Sequence, residues 1–290
     1  MKSVAVLSVS AFLLCAVSAS AQAPKMTNPP KLTLAAKLRE EASKKDPKLM
    51  LRMVGGSGEA AYPDGSALQF GVRLKEDQNF IVRVQTFVSG GKWEVELPAL
   101  GNDIYHGIYV CQVDWDPEHQ PPGITPKMPA DKRGLNHAVA ELKLGTDEEI
   151  SKDRDEVMAY YKLKLNELHA IIDPLRTEFQ SQMEAKDAEK WKKVADESQN
   201  KLYELDRSLA NFRRKRRNVL CTDLFESLNN VILTTKDFGI DAYTAAVTSS
   251  GAAAMTPDQV DKSIQEHLGK LDKALAEVKA APEAPKENPK

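Results

Sequence analysis

Cysteine and aromatic residues are scarce in this chain of 290 residues. It has three cysteines, Cys15, Cys111 and Cys221, and aromatic side chains make up 6% of its residues. A disulfide scaffold needs a dense, even set of cysteines, so that class is excluded, and at most one bridge can form beyond Cys15. The formal net charge of −2 gives no general attraction to nucleic acid or to anionic membranes. With 28% charged residues, the composition favours helices and solvated surface over a large β core.

The recognisable motifs of catalysis and cofactor binding are also missing. The five histidines lie far apart, and none belongs to an H-E-x-x-H metalloprotease pattern. The sequence has no phosphate-binding glycine loop and no C-x-x-C pair. The segment Gly55-Gly56-Ser57-Gly58-Glu59 superficially resembles a nucleophile elbow, but Glu59 stands where the second glycine should be, and we interpret the segment as a loop between strands. The sequence therefore predicts no catalytic residue and no cofactor.

Long apolar runs are confined to the N-terminus. Lys2 precedes an uncharged apolar core at residues 4–17, and residues 19–21 (Ala-Ser-Ala) form a small-x-small cleavage site. These three parts in this order are typical of a secretory signal peptide, and we predict cleavage after Ala21. No later segment approaches the roughly 20 apolar residues that a transmembrane helix needs. We therefore expect a secreted or periplasmic protein without a transmembrane segment after signal removal.

Residues 22–47 are interpreted as a leader. Its first half is punctuated by prolines, which is typical of a flexible segment. Apolar residues then recur at helical spacing, which predicts a short helix over residues 34–45. Pro47 ends this helix, because the residue before a proline avoids the α conformation.

From residue 48 to residue 145 the hydrophobic period changes to two. Apolar and polar residues alternate in several short stretches, for example 68–74 and 109–115, and Gly, Pro and Asp turns separate the stretches. This pattern is typical of an antiparallel β-sandwich, in which one face of each sheet is solvated.

A resemblance to known sandwiches is carried by residues 107–113 (GIYVCQV) and by the preceding hairpin arm at residues 92–95 (KWEV). The G-x-Y-x-x-x-V pattern resembles the strand found late in immunoglobulin-like and carboxypeptidase-regulatory-like sandwiches. The resemblance covers residues 48–145, about a third of the chain. It implies a fold and no activity, because such sandwiches host many unrelated functions.

Two long amphipathic stripes follow from a capping box that begins at Thr146. Apolar residues recur every three or four positions through residues 157–183 and again through residues 191–231. The stripes can cover each other as an antiparallel hairpin that turns near residues 184–188. Because no glycine or proline marks this turn, one continuous helix is the alternative. Such a helix would need a second chain to cover its stripe, so it would associate with itself through the helices.

The predicted fold class is α+β, with an N-terminal antiparallel β-sandwich, immunoglobulin-like by resemblance, followed by a helical hairpin or bundle with coiled-coil character. The predicted organisation is a signal peptide at 1–21, a leader at 22–47, the β-sandwich at 48–145, the helical hairpin at 146–238, a loop at 239–255, a C-terminal helix at 256–280 and a disordered tail at 281–290.

Asp114, Asp116, Glu118 and His119 form the densest cluster of residue types that bind metals. They lie where a strand runs into a proline-rich loop, and alternating oxygen ligands there could hold calcium. The alternative is that acidic residues keep a strand edge soluble. The cluster lacks the glycine that a calcium loop needs for its sharp turn, which favours the alternative.

The strongest basic run consists of Arg213, Arg214, Lys215, Arg216 and Arg217. A cationic run of this kind could bind an anionic partner. Five consecutive helical residues, however, point around most of the circumference and do not form one patch. This geometry favours the alternative, which is ion pairing with the acidic residues at 153–156 of the facing helix.

These features predict a non-enzymatic binding or structural protein of the periplasm or cell envelope, with an unknown protein or envelope component as its partner. The sandwich would present loops and edges to that partner, and the helices would space or oligomerise it. The alternative is a hydrolytic or metal-dependent enzyme with a site in a groove between the sandwich and the helices, built from residues too scattered to recognise in the sequence.

Overall fold

The computed structural model describes residues 29–282, apart from residues 45, 47–49, 99, 102 and 250–252. The predicted signal peptide, the first part of the leader and the tail beyond residue 282 lie outside the described residues. Within them, two antiparallel sheets are followed by a set of helices, which confirms the predicted α+β class with an N-terminal sandwich.

Seven strands form the sandwich. They are β1 (Ala35–Ala42), β2 (Met50–Glu59), β3 (Ala67–Leu74), β4 (Val82–Phe87), β5 (Lys92–Glu96), β6 (Gly107–Trp115) and β7 (Asn136–Leu144). One sheet has the order β1-β2-β5 and the other has the order β4-β3-β6-β7. The strands of both sheets pair antiparallel.

The period-two pattern of the sequence places the core of the sandwich correctly. In β6, Tyr109, Cys111, Val113 and Trp115 are buried at alternate positions, and in β5 Trp93 is buried between exposed neighbours. Alternation works here because successive side chains of a strand point to opposite faces of the sheet.

The predicted helix at residues 34–45 is wrong, because the structure has strand β1 there. Its residues pair with β2 in a continuous register, from Ala35 opposite Ser57 to Ala42 opposite Met50. The segment contains good helix formers, yet the edge of β2 supplies a full ladder of backbone hydrogen bonds. Tertiary pairing therefore overrides local propensity. The sandwich consequently begins within the predicted leader and not at residue 48.

Residues 55–59, interpreted above as a loop, are also in a strand, since they form the second half of β2. Their glycines serve close packing: a Cβ atom at Gly58 would collide with the carbonyl group of Thr33. The backbone of residues 31–33 crosses here and pairs with Glu59 and Ala61. Glycine in a strand often marks such a close approach of a second backbone.

The predicted helical hairpin is present. Helix α1 (Asp147–Ala185) begins at the expected capping box of Thr146 and Glu149, and α2 (Ala188–Arg214) runs back along it. The chain reverses at Lys186, which adopts the left-handed conformation (φ 57°), and Asp187 caps the start of α2. The alternative prediction of one continuous helix across residues 184–188 is therefore wrong.

The second stripe is broken where the sequence predicted continuity. After α2 the chain leaves the helix at residues 215–221 and resumes as α3 (Thr222–Leu233), which passes through a π-helical turn (Thr234–Gly239) into α4 (Ile240–Thr248). The predicted loop at 239–255 thus contains a helix. The C-terminal helix is α5 (Pro257–Ala274), which begins at the capping box of Thr256 and Gln259.

The apolar stripes of these helices are covered within the chain. The buried side chains include Val157, Tyr161, Leu165, Leu168, Trp191, Leu202, Leu205 and Leu209 from the hairpin, and Val260, Ile264, Leu268 and Leu271 from α5. They belong to one hydrophobic core that is continuous with that of the sandwich. Among the helices that the structure describes, none combines the length and the apolar character needed to cross a membrane.

Candidate functional site

The outer face of the β4-β3-β6-β7 sheet carries an open cleft of about 500 Å³. It lies at the end of the sheet where β6 runs into the 116–120 loop and β7 begins. Its lining is mostly polar and consists of Gln69, Arg83, Gln112, Asp114, Trp115, Asp116, His119, Leu135, Asn136 and His137.

The lining comes from four neighbouring strands, because alternate side chains of each strand point to the outer face of the sheet. Gln69, Asp114 and His137 stand directly opposite one another on β3, β6 and β7 and therefore share the outer face. Arg83 lies on the neighbouring strand β4, opposite Gly71. The sequence cluster indicated Asp114, Asp116 and His119, but it missed Arg83, Gln69 and His137, whose only signal is their outward register in the alternating strands.

Arg83 and Asp114 are held in place by contacts within the sheet and with the Phe80 ring. The guanidinium Nη2 of Arg83 donates to Asp114 Oδ2 at 3.1 Å, and its carbon Cζ lies 3.9 Å from the centre of the Phe80 ring. Gln112 Nε2 donates to the other oxygen of Asp114 at 2.6 Å. A face whose polar groups are already oriented loses less conformational entropy when it binds.

The other three members of the predicted metal cluster have structural roles or point into solvent. Asp116 caps a short 3₁₀ turn by accepting from the backbone N–H of Glu118 at 2.9 Å, and its second oxygen lies 2.7 Å from His119 Nδ1. Glu118 is exposed and does not line the cleft. Among the residues that the structure describes, no group of three or more His, Cys, Asp and Glu side chains is placed to hold a metal ion.

Apolar side chains are exposed on and beside the same face. Val139 of β7 is 58% exposed, and Leu135, just before β7, is 57% exposed. Phe87 of β4 is 53% exposed at the opposite edge of the sheet. Exposed apolar groups among oriented polar ones are typical of a surface that binds another molecule.

The basic run lies where the helices meet the sandwich. We call this contact the joint; it is formed by residues 216–221 and the sandwich segments that they contact. Helix α2 ends at Arg214, so the run does not continue as helix. The backbone N–H of Arg217 donates to Asp103 at 2.7 Å, and its Nη2 donates to the carbonyl of Ile81 at 3.1 Å. Arg216 lies over the Tyr105 ring, with its Cζ 5.1 Å from the ring centre. The sequence missed this role because the contacts are made to loops of the sandwich.

Residues 218–221 complete this joint with hydrogen bonds from buried groups. The amide of Asn218 accepts from the Tyr105 N–H at 3.1 Å and donates to the Tyr109 hydroxyl at 2.8 Å. The backbone N–H groups of Val219 and Cys221 donate to Asp77 at 2.9 Å and to Glu76 at 3.0 Å. These four hydrogen bonds give the buried polar groups named here their partners, as burial requires.

A histidine and an aspartate meet at the same joint. The alternative prediction places an enzymatic site in this groove between the sandwich and the helices. His106 Nδ1 lies 2.8 Å from Asp153 Oδ2, and Arg52 Nη2 lies 3.0 Å from His106 Nε2. A guanidinium can only donate, so Nε2 must accept and the imidazole proton lies on Nδ1. The nitrogen that a general base would use is therefore already occupied.

The nearby thiol of Cys221 is not activated either. Burial raises its pKa to about 11, against an ordinary value of 9.0. Reactive cysteines have a lowered pKa, because the thiolate is the nucleophile.

No protein-family model, curated protein or solved structure is significantly similar to this chain.

Proposed function

We propose that this chain is an exported, non-enzymatic binding protein of the periplasm or cell envelope, and that its partner binds to the outer face of the β4-β3-β6-β7 sheet. The observation that carries the proposal is the combination on this face of the fixed Arg83–Asp114–Gln112 network with the exposed side chains of Leu135 and Val139. Oriented polar groups supply specificity, and exposed apolar groups supply the area whose burial drives association.

We also propose that the sandwich is immunoglobulin-like. The strand order supports this, since three strands, β1-β2-β5, face four, β4-β3-β6-β7. A second support is the Tyr109 hydroxyl, which donates to the carbonyl of Tyr105 just upstream of β6. Tyr109 stands two positions before Cys111, the arrangement known as the tyrosine corner in such sandwiches. Sandwiches of this class use their faces and loops for binding many different partners.

The helices then act as a rigid support that holds the sandwich in one orientation. The joint at residues 216–221 supports this role, because its hydrogen bonds tie the end of α2 to the 76–81 and 103–109 segments of the sandwich. The alternative of a hydrolytic or metal-dependent enzyme in the groove would require His106 Nε2 to be released from Arg52.

A photo-crosslinking amino acid introduced at Val139 tests the binding face. We expect covalent adducts to one partner when the protein is irradiated in its own envelope extract, and we expect the Asp114→Ala substitution to reduce them. The matched control is the same amino acid at Lys193, an exposed position of α2. Equal adducts from positions 139 and 193, or adducts that Asp114→Ala leaves unchanged, would rule out this face.

Export is tested separately by N-terminal sequencing of the protein recovered outside the cytoplasm. We expect it to start at Gln22, because residues 19–21 form the cleavage site. A chain that is retained in the cytoplasm with Met1 intact would contradict the proposal of export.

A further inference from the structure

A second cavity, of about 410 Å³, lies at the joint between the sandwich and the helices. It opens where the end of β3 and the start of β6 face the first turns of α1. Its lining consists of Leu74, Lys75, Glu76, His106, Gly107, Ile108, Ile150, Arg154 and Leu220. Its size is within the range of small-molecule sites, which occur preferentially where two structural units meet.

The walls of this joint cavity are apolar, and its charges lie at its rim. Leu74 and Leu220 are buried at its base, and Ile108 and Ile150 are half-buried on opposite sides. Ile150 and Arg154 are four residues apart in α1 and therefore project from the same face of the helix. This lining contrasts with the cleft on the outer sheet face, where amide, carboxylate and imidazole groups predominate.

The rim has a cationic group that is free to change its partner. Glu76 is committed, because its Oε2 accepts from Arg154 at 2.9 Å and from the backbone N–H of Cys221 at 3.0 Å. Lys75 pairs with Glu141 at 2.7 Å, but both side chains are more than half exposed. An exposed pair of this kind contributes little to stability, so the Lys75 ammonium can turn to another anion at little cost.

From this geometry we infer that the joint cavity binds a small amphipathic anion, with its apolar body between Ile108 and Ile150 and its anionic head at Lys75. A carboxylate with a short alkyl chain has the right chemistry, because the chain removes apolar wall from water and the head forms a charge-assisted hydrogen bond. The ligand would touch β3, β6, α1 and the joint at residues 216–221 at once. It would therefore stabilise the arrangement of these four segments.

Titration calorimetry of the full mature chain with octanoate tests the inference. We expect one octanoate per chain and a raised melting temperature in its presence. Octylammonium has a chain of the same length with the opposite charge and should bind more weakly. If octylammonium binds as tightly as octanoate, the assignment of an anion is wrong, and if octanoate does not bind at all, the whole inference is wrong.

Two pairs of variants place the ligand. Lys75→Met keeps the apolar stem and should weaken octanoate binding about tenfold, in line with the loss of one charged hydrogen bond. Lys92→Met, at an exposed lysine outside this cavity, should not weaken it. Ile150→Trp should fill the cavity and abolish binding, whereas Ser151→Trp adds the same side chain at the exposed neighbouring position and should leave binding intact.

Circular dichroism and the melting temperature show whether each variant is folded. Binding that survives in a folded Ile150→Trp protein, or that Lys75→Met and Lys92→Met weaken equally, would overturn the placement in this cavity.

Discussion

At the scale of single residues, Asn218 links the helical part to the sandwich through two buried hydrogen bonds. Its side chain is 1% exposed and uses both ends of its amide, one on the Tyr105 N–H and one on the Tyr109 hydroxyl. It thereby joins the segment that follows α2 to β6, an inner strand of the four-stranded sheet. A buried amide with two partners can be replaced only by a group that satisfies both.

We expect Asn218→Ala to lower the free energy of unfolding by about 2–4 kcal/mol, because it leaves the buried N–H of Tyr105 without an acceptor and removes the amide that donates to the Tyr109 hydroxyl. Denaturation by urea measures this change. The matched control is Asn200→Ala on the exposed side of α2, which should change the free energy by less than about 0.5 kcal/mol. Equal effects of the two substitutions would show that the joint contributes no stability.

The two buried thiols predict how stability depends on alkaline pH. Burial raises the pKa of Cys111 from 9.0 to about 12 and that of Cys221 to about 11. The unfolded chain therefore loses these protons first, so the stability they contribute is complete below pH 9 and is lost as the pH rises from there through the folded values. Urea denaturation should show a free energy that falls above pH 9. The fall should be smaller in a Cys111→Ala, Cys221→Ala protein, and an equal fall in both proteins would contradict this origin.

At the scale of elements, the turn between α1 and α2 shows how a reversal forms without glycine or proline. Lys186 takes the left-handed conformation at φ 57°, its N–H closes the last turn on Gln182, and Asp187 caps the next helix through the N–H of Lys190. The left-handed conformation costs a residue with a Cβ roughly 1–2 kcal/mol. The burial of the two facing stripes offsets this cost.

Replacing this residue by glycine should therefore stabilise the protein. We expect Lys186→Gly to raise the free energy of unfolding by about 0.5–1 kcal/mol, because glycine adopts a positive φ without steric strain. The same change at Lys192, an exposed position inside α2, should lower it by about 1 kcal/mol. Thermal unfolding of the two variants shows whether each substitution raises or lowers the stability. A loss of stability in both would mean that Lys186 is not left-handed in solution.

At the scale of the whole molecule, the sandwich and the helices share one continuous hydrophobic core. The apolar stripes that would have driven self-association through the helices are buried inside this core. What remains exposed and apolar includes Val139 and Leu135 on the sandwich, together with Tyr203 and Phe238 on the helical part. The helical stripes themselves are therefore not available to a second chain, and exposed apolar side chains are found on both the sheet face and the helical part.

Light scattering on purified protein of residues 22–290 should accordingly give the mass of a single chain. The hairpin already covers its stripes, so a dimer would gain little burial against the roughly 4–15 kcal/mol that association costs. If a dimer is observed, Val139→Lys distinguishes its origin. A dimer that this substitution disrupts would use the sheet face, whereas a dimer that persists would show that the helices assemble the protein after all.

Local patterns predicted a large part of the fold. Alternation identified the buried residues of β6 and Trp93 of β5, and the two capping boxes at Thr146 and Thr256 marked the starts of α1 and α5. Each of these signals involves residues within a few positions of one another. For the candidate site the cluster at the end of a strand indicated Asp114, Asp116 and His119, but it could not show which residues of the neighbouring strands stand beside them.

The errors have a shared cause. Residues 35–42 have the composition of a helix and become β1 because β2 offers them a partner edge. Residues 215–221 continue an apolar stripe and leave the helix because the sandwich supplies acceptors for their backbone N–H groups. In both places a contact with a distant segment outweighs a local preference of at most about 1 kcal/mol per residue.

The sequence by itself determined the order of a β part followed by a helical part, because the hydrophobic period changes from two to 3.6 at the boundary between them. Only the tertiary structure decided where the two parts meet. The hydrogen bonds of Asn218, Val219 and Cys221 join residues that are 109 to 145 positions apart. Partners at such separations leave no periodic trace in the chain, since nothing in the local spacing of residues depends on which distant loop will satisfy a buried N–H group.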